Sequence, residues 1–334
     1  PDAADVAELS AKLAAAGVTH LAMEASSHGI DQRRLDGLTL RVAGFLNLTQ
    51  DHLDYHGTMG AYRAAKLRLF ETLTPTGATA VLNADSDAYE AFAGAAVTAG
   101  QTVMSVGEAG QGLTLLARTP TPGGQDLKIA AGGQTYDVHL PLVGAYQASN
   151  ALVAAGLCIA AGEEAGAVLK ALETLEGAPG RLQRVGTSAK GGEAYVDYAH
   201  TPDGLETVLK ALRPHVTGKL IVVFGCGGDR DRTKRPIMGR IAADLADVAI
   251  VTDDNPRTEL PAAIRAEVMT GARGAKEIGD RRTAIRAGVA MLEAGDVLVV
   301  AGKGHEQYQI IGEVTHHFDD VAETVEALAE AGRG

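Results

Sequence analysis

The chain has no Trp, only five Phe, and two Cys in 334 residues. So few large aromatics leave small and branched aliphatic side chains to fill any core. The cysteines, Cys158 and Cys226, lie far apart without metal-ligand spacing, which excludes a disulfide framework and a zinc cluster and predicts reduced thiols. Positive charge is also scarce, with a net charge of −12 at pH 7. A nonspecific nucleic-acid partner is therefore not expected, because displacing counterions from phosphates needs a basic face. The longest apolar run, Ala151 to Ala161, is short of the roughly 20 residues of a membrane span. No basic start followed by an apolar stretch opens the chain, so a secretory signal is not predicted. The first residue is Pro1 rather than Met, which predicts that the sequence starts inside a longer protein.

Present in quantity are Gly, 41 residues, and a hydrophobic share of 46%. At about 150 residues per domain, the length suggests roughly two domains. Helical and strand-like segments alternate through both halves, which predicts an α/β fold with mostly parallel sheets. In the first half the expected elements are a helix at 5–16, a buried strand at 19–22, a strand at 41–48 and a helix at 58–73. A strand at 78–82, a helix at 86–98 and a strand at 102–106 continue the rhythm. Gly112 to Leu142 is rich in Gly, Thr and Pro and predicts a small antiparallel part. Helices at 145–161 and 164–175 follow, and Glu176 to Gly186 reads as a connector, with a domain boundary near Pro179.

The second half predicts a doubly wound, Rossmann-like domain. Strands are expected at 194–198, 219–224, 247–252, 275–278 and 296–301, with helices at 205–212, 236–245, 262–269 and 282–292. A hairpin at 308–318 and a helix at 320–331 end it.

Two short runs follow predicted strands: Asp254-Asn255-Pro256-Arg257 after 247–252, and Gly302-Lys303-Gly304-His305-Glu306 after 296–301. Open α/β sheets bind ligands beyond such strand ends. Arg257 can clamp a carboxylate with two parallel hydrogen bonds and Glu306 can hold an ammonium, which describes a pocket for a zwitterionic amino acid.

Elsewhere the residues leave alternatives open. Glu24 and His52 read either as two ligands of a Mg²⁺ that keeps waters and phosphates, or as a surface acid and a helix cap. Lys66 is either solvated or buried, and a buried neutral amine could add CO₂ to form a carbamate. Gly225 to Arg230 sits where a phosphate-binding loop would, yet its spacing does not fit G-x-G-x-x-G. Asp253 stands where a ribose-binding acid would, which keeps a dehydrogenase reading open. Arg230, Arg232, Lys234 and Arg235 form a basic turn that is either solvated or anion-binding. In Asp197-Tyr198-Ala199-His200, the acid could take a ribose hydroxyl and the imidazole a phosphate, or the segment could simply cap a helix.

Taken together, MEASSHGIDQRR, FLNLTQDHLDYHG with AYRAAKLRLF, GAYQASN, APGR, YVDYAHTPDGL, FGCGGDRDRTKRP, TDDNPR and AGKGHEQYQ resemble, in order, the Mur ligase family and within it the MurE type. The resemblance covers essentially the whole chain. It implies a central ATPase domain at 1–178 and a C-terminal Rossmann-like, amino-acid-binding domain at 179–334. By motif, Glu24 and His52 would hold Mg²⁺, with Lys66 carbamylated beside it. Ser26, Gln32 and Arg34 would contact a UDP-N-acetylmuramoyl-dipeptide. Asn150, Arg181, Asp197 and His200 would bind ATP, His200 near the phosphates. Arg230, Asp254, Asn255, Arg257, Gly302 and Glu306 would bind the incoming amino acid, and the DNPR run resembles the meso-diaminopimelate-adding branch.

The implied activity is ATP-driven amide formation in peptidoglycan precursor synthesis by a cytoplasmic, monomeric enzyme. Lysine- or ornithine-adding relatives, a folylpolyglutamate synthetase-like ligase and a non-catalytic binding module are the alternatives. One departure stands out: no G-x-x-x-x-G-K-[ST] occurs in the sequence, and the family's N-terminal domain and P-loop are missing from the match. The expectation is that these residues alone do not catalyse ligation.

Overall fold

The computed structural model describes residues 2–49 and 53–333. The chain divides into two compact units, one formed by residues up to 118 with 126–139 and 146–173, the other by 119–125, 140–145 and 174 onward.

The first unit opens with α1 (Ala3–Ala15), whose N-terminal N–H groups are capped by Asp2 in a reciprocal box with Asp5. A short α2 (Ser27–Asp31) follows. Next come β1 (Val42–Phe45), α3 (Leu53–His56) and α4 (Met59–Arg68), the last running into a π-helical turn at Leu69–Leu73. Then β2 (Thr79–Asn83), α5 (Tyr89–Thr98) and β3 (Thr102–Gly107) complete a βαβ unit. β1, β2 and β3 are parallel. Phe45, Phe70 and Phe92 gather in the core, with the Phe45 and Phe92 rings stacked at 3.7 Å. Three of the five phenylalanines are thus spent in one place.

β4 (Leu113–Thr121), β5 (Gly124–Ala131) and β6 (Gln134–Leu140) extend this sheet in the order β1-β2-β3-β4-β5-β6. Two-residue connections, Pro122-Gly123 and Gly132-Gly133, join them, and such short turns can join only antiparallel neighbours. Gly123, Gly132 and Gly133 all have positive φ, as those turns need. α6 (Ala145–Ala161) and α7 (Ala165–Ala171) follow. Gly156 of α6 lies so close to Val81 that a Cβ there would stand 2.6 Å from its methyl.

In the second unit, β7 (Gln183–Thr187), β8 (Glu193–Asp197), α8 (Pro202–Leu212), β9 (Leu220–Phe224), α9 (Lys234–Leu245) and β10 (Val248–Val251) come first. α10 (Pro261–Met269), β11 (Lys276–Glu277), α11 (Arg281–Ala290) and β12 (Val297–Ala301) follow, then the hairpin β13 (Tyr308–Ile311) and β14 (Val314–His317), and α12 (Asp320–Ala331). The sheet order is β11-β10-β9-β12-β8-β7, parallel except for β7. β9 and β12 are buried along their whole length, as continuous Leu, Ile and Val runs in a sheet covered on both faces demand. One layer of core packs α8, α9 and α10 on one face, and another packs α11 and α12 on the other.

Three expectations need correction. Residues 19–22 form no strand, and Leu21 is 52% exposed. Among the described residues β1 pairs with β2 alone, so its other edge carries no strand from this run. The connector at 176–186 is part strand: Gln183 to Thr187 pairs antiparallel with β8 across an irregularity between Arg184 and Gly186. In Gln-Arg-Val-Gly-Thr only Val and Thr favour a strand, and pairing with β8 supplies the rest. The helix expected to reach Leu73 changes to π geometry after Arg68. Among the described residues no helix is long and apolar enough to cross a membrane.

Candidate functional site

The C-terminal ends of β9, β10 and β12 lie side by side, so the loops after them meet. The loop after β10 carries Asp254 to Arg257 and is threaded along the β13–β14 hairpin. Arg257 N–H donates to the Ile310 carbonyl at 3.0 Å, and Gly312 N–H donates to the Arg257 carbonyl at 2.7 Å. Gln309 Nε2 donates to the Asp254 carbonyl at 2.7 Å. The loop after β9 presses on it closely. Gly228 N–H donates to the Asn255 carbonyl at 2.9 Å, and a Cβ at Gly228 would fall 1.9 Å from the Pro256 carbonyl.

Asp229 and Arg257 both sit at φ 52°, a left-handed conformation uncommon for these residues. Tertiary bonds hold them there. Asp229 accepts from the Thr258 N–H at 3.1 Å and hydroxyl at 2.8 Å, and its own N–H donates to Glu259 Oε1 at 2.7 Å. Arg235, fully buried, donates to both Glu259 oxygens, to Glu267 and to the Gly227 carbonyl. Arg235 hydrogen bonding, joined by the Asp229 N–H, pulls the Glu259 carboxyl down to about 2. The basic turn is thus neither wholly solvated nor wholly free for anions: Arg232 and Arg235 are taken up by acids of α10 and the segment before it.

The predicted amino-acid residues converge here. Arg257 Nη1 donates to the Gly228 carbonyl at 2.8 Å. Arg230 is exposed and donates to the Asp229 carbonyl at 3.0 Å. The two arginines flank Gly227, where a Cβ would meet Arg257 Nη1 at 2.9 Å and Arg230 Cγ at 3.9 Å. Asn255 Nδ2 faces Glu306 Oε2 at 3.5 Å. Gly302 has φ +127°, and its N–H donates to the Asp197 carbonyl at 3.0 Å. Asp254 turns inward, and its Oδ1 lies 3.2 Å from the Lys303 ammonium. Burial works to raise the Asp254 carboxyl, but the positive charges of Lys303 and Arg281 outweigh it and hold the group below its ordinary range. Negative charge on Glu306 pushes the Tyr308 hydroxyl up, and burial followed by Glu306 does so for Tyr198. An acid with two phenol rings around it is a fair seat for an ammonium.

A second cluster in the same unit surrounds Tyr198. The Arg181 guanidinium lies over its ring at 4.9 Å, and the His200 and His305 rings lie 4.6 and 5.2 Å away. Gly180 and Gly304 make the approach feasible, since a Cβ on Gly180 would stand 2.2 Å from His305 N and one on Gly304 would stand 2.6 Å from Tyr198 Cβ. His200 Nδ1 is 2.9 Å from the Tyr198 carbonyl, and Lys234 Nζ donates to the His200 carbonyl at 2.7 Å. Asp197 is buried and both its oxygens accept backbone N–H groups, from Leu182 and Ala199 at 2.7 Å each. Burial raises its carboxyl against those two bonds. Asp253, the alternative ribose acid, is tied to Arg265.

In the first unit, Ser26 caps α2 by accepting from Gly29 N–H at 3.1 Å. Arg34 donates to Gln32 Oε1 at 2.6 Å, and Gln32 Nε2 to Tyr55 Oη at 3.2 Å. Ser26 and Arg34 both border Gly29, so the three predicted dipeptide contacts share one corner. Asn150, on α6, donates to Gln147 at 3.2 Å. Lys66 is half-buried on α4 with its ammonium 5.2 Å from the Tyr62 ring centre. Glu24 is exposed on a segment without regular structure. His52, its predicted companion, lies outside the described residues. Among those described, no group of three His, Cys, Asp or Glu gathers for a metal. No chemical step below passes through a metal.

Sequence reasoning assigned no role to Lys303, Tyr198 or Tyr308. The signal for Lys303 was its place two residues past a wholly buried strand, where a charged residue is rare.

A Mur ligase middle-domain family model matches residues 1–158, and a "Mur ligase, glutamate ligase domain" model matches 180–304. A UDP-N-acetylmuramoyl-L-alanyl-D-glutamate–2,6-diaminopimelate ligase of Caulobacter vibrioides is 73% identical over 98% of this chain and 68% of its own length. The ligase of the same name from Mesorhizobium japonicum is 56% identical over 99% of this chain and 68% of its own length. A solved structure of a 2,6-diaminopimelate ligase of this kind superposes with TM-score 0.73 at 40% identity, covering 92% of this chain and 64% of that one. The chain thus spans about two thirds of the proteins it matches, and with both domain models and these identities it belongs to the Mur ligase family, in the MurE branch.

Proposed function

We propose that this chain is the ATPase and amino-acid-binding part of a ligase that adds meso-diaminopimelate to UDP-N-acetylmuramoyl-L-alanyl-D-glutamate. The observation that carries the reading is the placing of unlike charges beyond two strands that flank β9, Arg257 after β10 and Glu306 after β12, with Asn255 beside both. A diaminopimelate end offers a carboxylate and an ammonium on one carbon. Arg257 and Arg230 match the first, and Glu306 beside Tyr308 matches the second. Lysine lacks the distal carboxylate and would leave Arg257 without a ligand partner.

In this reading ATP phosphorylates the dipeptide's terminal carboxylate, the free amine attacks the acyl phosphate, and the tetrahedral intermediate expels phosphate. The chain's residues bind and orient the amine donor and seat the nucleotide near Arg181 and His200. Ser26, Gln32 and Arg34 would meet the dipeptide substrate, Asn150 the nucleotide, and Glu24, His52 and carbamylated Lys66 the magnesium that travels with it. Two domains, 1–178 and 179–334, a cytoplasmic location and a monomer complete the proposal.

The test is calorimetric titration of the chain with meso-diaminopimelate, L-lysine, L-ornithine and L-glutamate. One extra charge-assisted hydrogen-bonded pair is worth about 1.5–3 kcal/mol, so meso-diaminopimelate is expected to bind about tenfold or more tighter than lysine. Equal or tighter binding of lysine or ornithine would overturn the assignment of Arg257. Preference for glutamate would point to the folylpolyglutamate synthetase-like alternative.

A further inference from the structure

Lys303 is fully buried, two residues past the end of β12. A buried ammonium is tolerated only where partners replace water. Here Nζ donates to Asn255 Oδ1 at 3.0 Å and to the Tyr308 carbonyl at 2.8 Å, with Asp254 Oδ1 at 3.2 Å. Those three partners lie on the loop after β10 and at the start of β13. One side chain therefore ties together the strand end, the Asp254–Arg257 loop and the hairpin.

The same Asn255 oxygen receives a second donor, the Ile310 N–H, at 3.0 Å. An ammonium and a backbone N–H can only donate. The Asn255 atom between them must be its carbonyl oxygen, because a turned amide would set NH₂ against two donors. Its Nδ2 is thereby left facing Glu306 Oε2. We infer that Lys303 is a positioning residue for the amino-acid site: it locks the Asn255 amide so that the nitrogen orients Glu306 toward the ligand's ammonium. The inference rests on the amino-acid-binding reading of Asn255 and Glu306. Lys303 itself makes no contact with substrate in it.

The experiment combines a double-mutant cycle with a ligand-free signal. The affinity of the chain for meso-diaminopimelate is measured by calorimetry in wild type, Lys303→Met, Asn255→Ala and the double variant, with thermal melting of each. In parallel, the side-chain amide resonances of Asn255 are followed by ¹⁵N NMR without ligand. Loss of the lock is expected to cost Lys303→Met about tenfold in affinity, on the order of one charge-assisted hydrogen bond, and to add nothing on the Asn255→Ala background. The Asn255 amide protons, distinct and slow to exchange in wild type, are expected to become averaged and fast in Lys303→Met. A loss that adds in full on the Asn255→Ala background would overturn the inference, as would unchanged affinity in a folded variant. Lys303→Gln, which keeps a polar head beside Asp254, is read by the same criteria should Lys303→Met not fold. A freely exchanging Asn255 amide in wild type would overturn the inference without any variant. Failure of wild type to bind meso-diaminopimelate would instead overturn the ligand reading, while the amide signal still decides the role of Lys303.

Discussion

Arg257 Nη1 donates to the carbonyl oxygen of Gly228 at 2.8 Å, so the guanidinium that ends one strand-end loop is braced by the backbone of the neighbouring one. The bond fixes the direction of the side chain before any ligand arrives. A clamp held in place loses little side-chain entropy on binding.

Replacing Arg257 by Ala removes both the clamp and this brace. Affinity for meso-diaminopimelate is expected to fall about 10- to 100-fold, the range for a hydrogen-bonded charge pair. Affinity for L-lysine is expected to change by less than about threefold, because no distal carboxylate is lost. Calorimetric titration of the two ligands into Arg257→Ala and wild type checks the split, and equal losses would remove the assigned role.

Gly228→Ala tests how tightly the two loops are joined. A Cβ there would lie 1.9 Å from the Pro256 carbonyl, a backbone atom without a flexible chain to swing away. The loops must separate, which is expected to cost about 1–3 kcal/mol of stability, the range for overpacking. Thermal and denaturant melts read the loss, and the meso-diaminopimelate affinity should fall with it. A variant as stable as wild type would show that the loops part without cost.

Glu259 gives the protein a pH signature. Arg235 hydrogen bonding is the largest cause that pulls its carboxyl from the ordinary 4.5 to about 2 in the folded chain. A group depressed in the folded state contributes stability that is fully present above its unfolded value and is lost as pH falls through its folded value. Melting temperature is therefore expected to carry a Glu259 contribution at neutral pH that disappears between about pH 4.5 and 2. Glu259→Gln should melt lower than wild type at pH 7, with the difference closing across that acid window. A difference independent of pH would mean that packing, not charge, holds Arg235.

Much of this molecule is legible from local pattern. The strands expected at 219–224 and 296–301 are present as β9 and β12, and both are buried along their length. The helices 145–161 and 320–331 also run where their spacing places them. The gathering of Arg257, Asn255 and Glu306 was legible too, because parallel strands send their following loops to one sheet edge. Asp254 and Asp197 illustrate the opposite case. A carboxylate after a strand reads as a ligand group, but whether it points outward or into the protein depends on which donors lie beneath it. Asp254 meets Lys303, and Asp197 meets the N–H groups of Leu182 and Ala199.

The sequence by itself determined the α/β alternation, the second unit's parallel sheet and the residues available at its strand ends, since periodicity and burial on both faces are local requirements. Only the tertiary structure decided that residues 19–22 stay unpaired, that Gln183 to Thr187 becomes an edge strand, and which way the Asn255 amide faces. Each of those depends on a partner distant in sequence: a neighbouring strand for the ladders, and the Lys303 ammonium with the Ile310 N–H for the amide. A hydrogen bond needs both of its ends, and the chain alone shows one at a time.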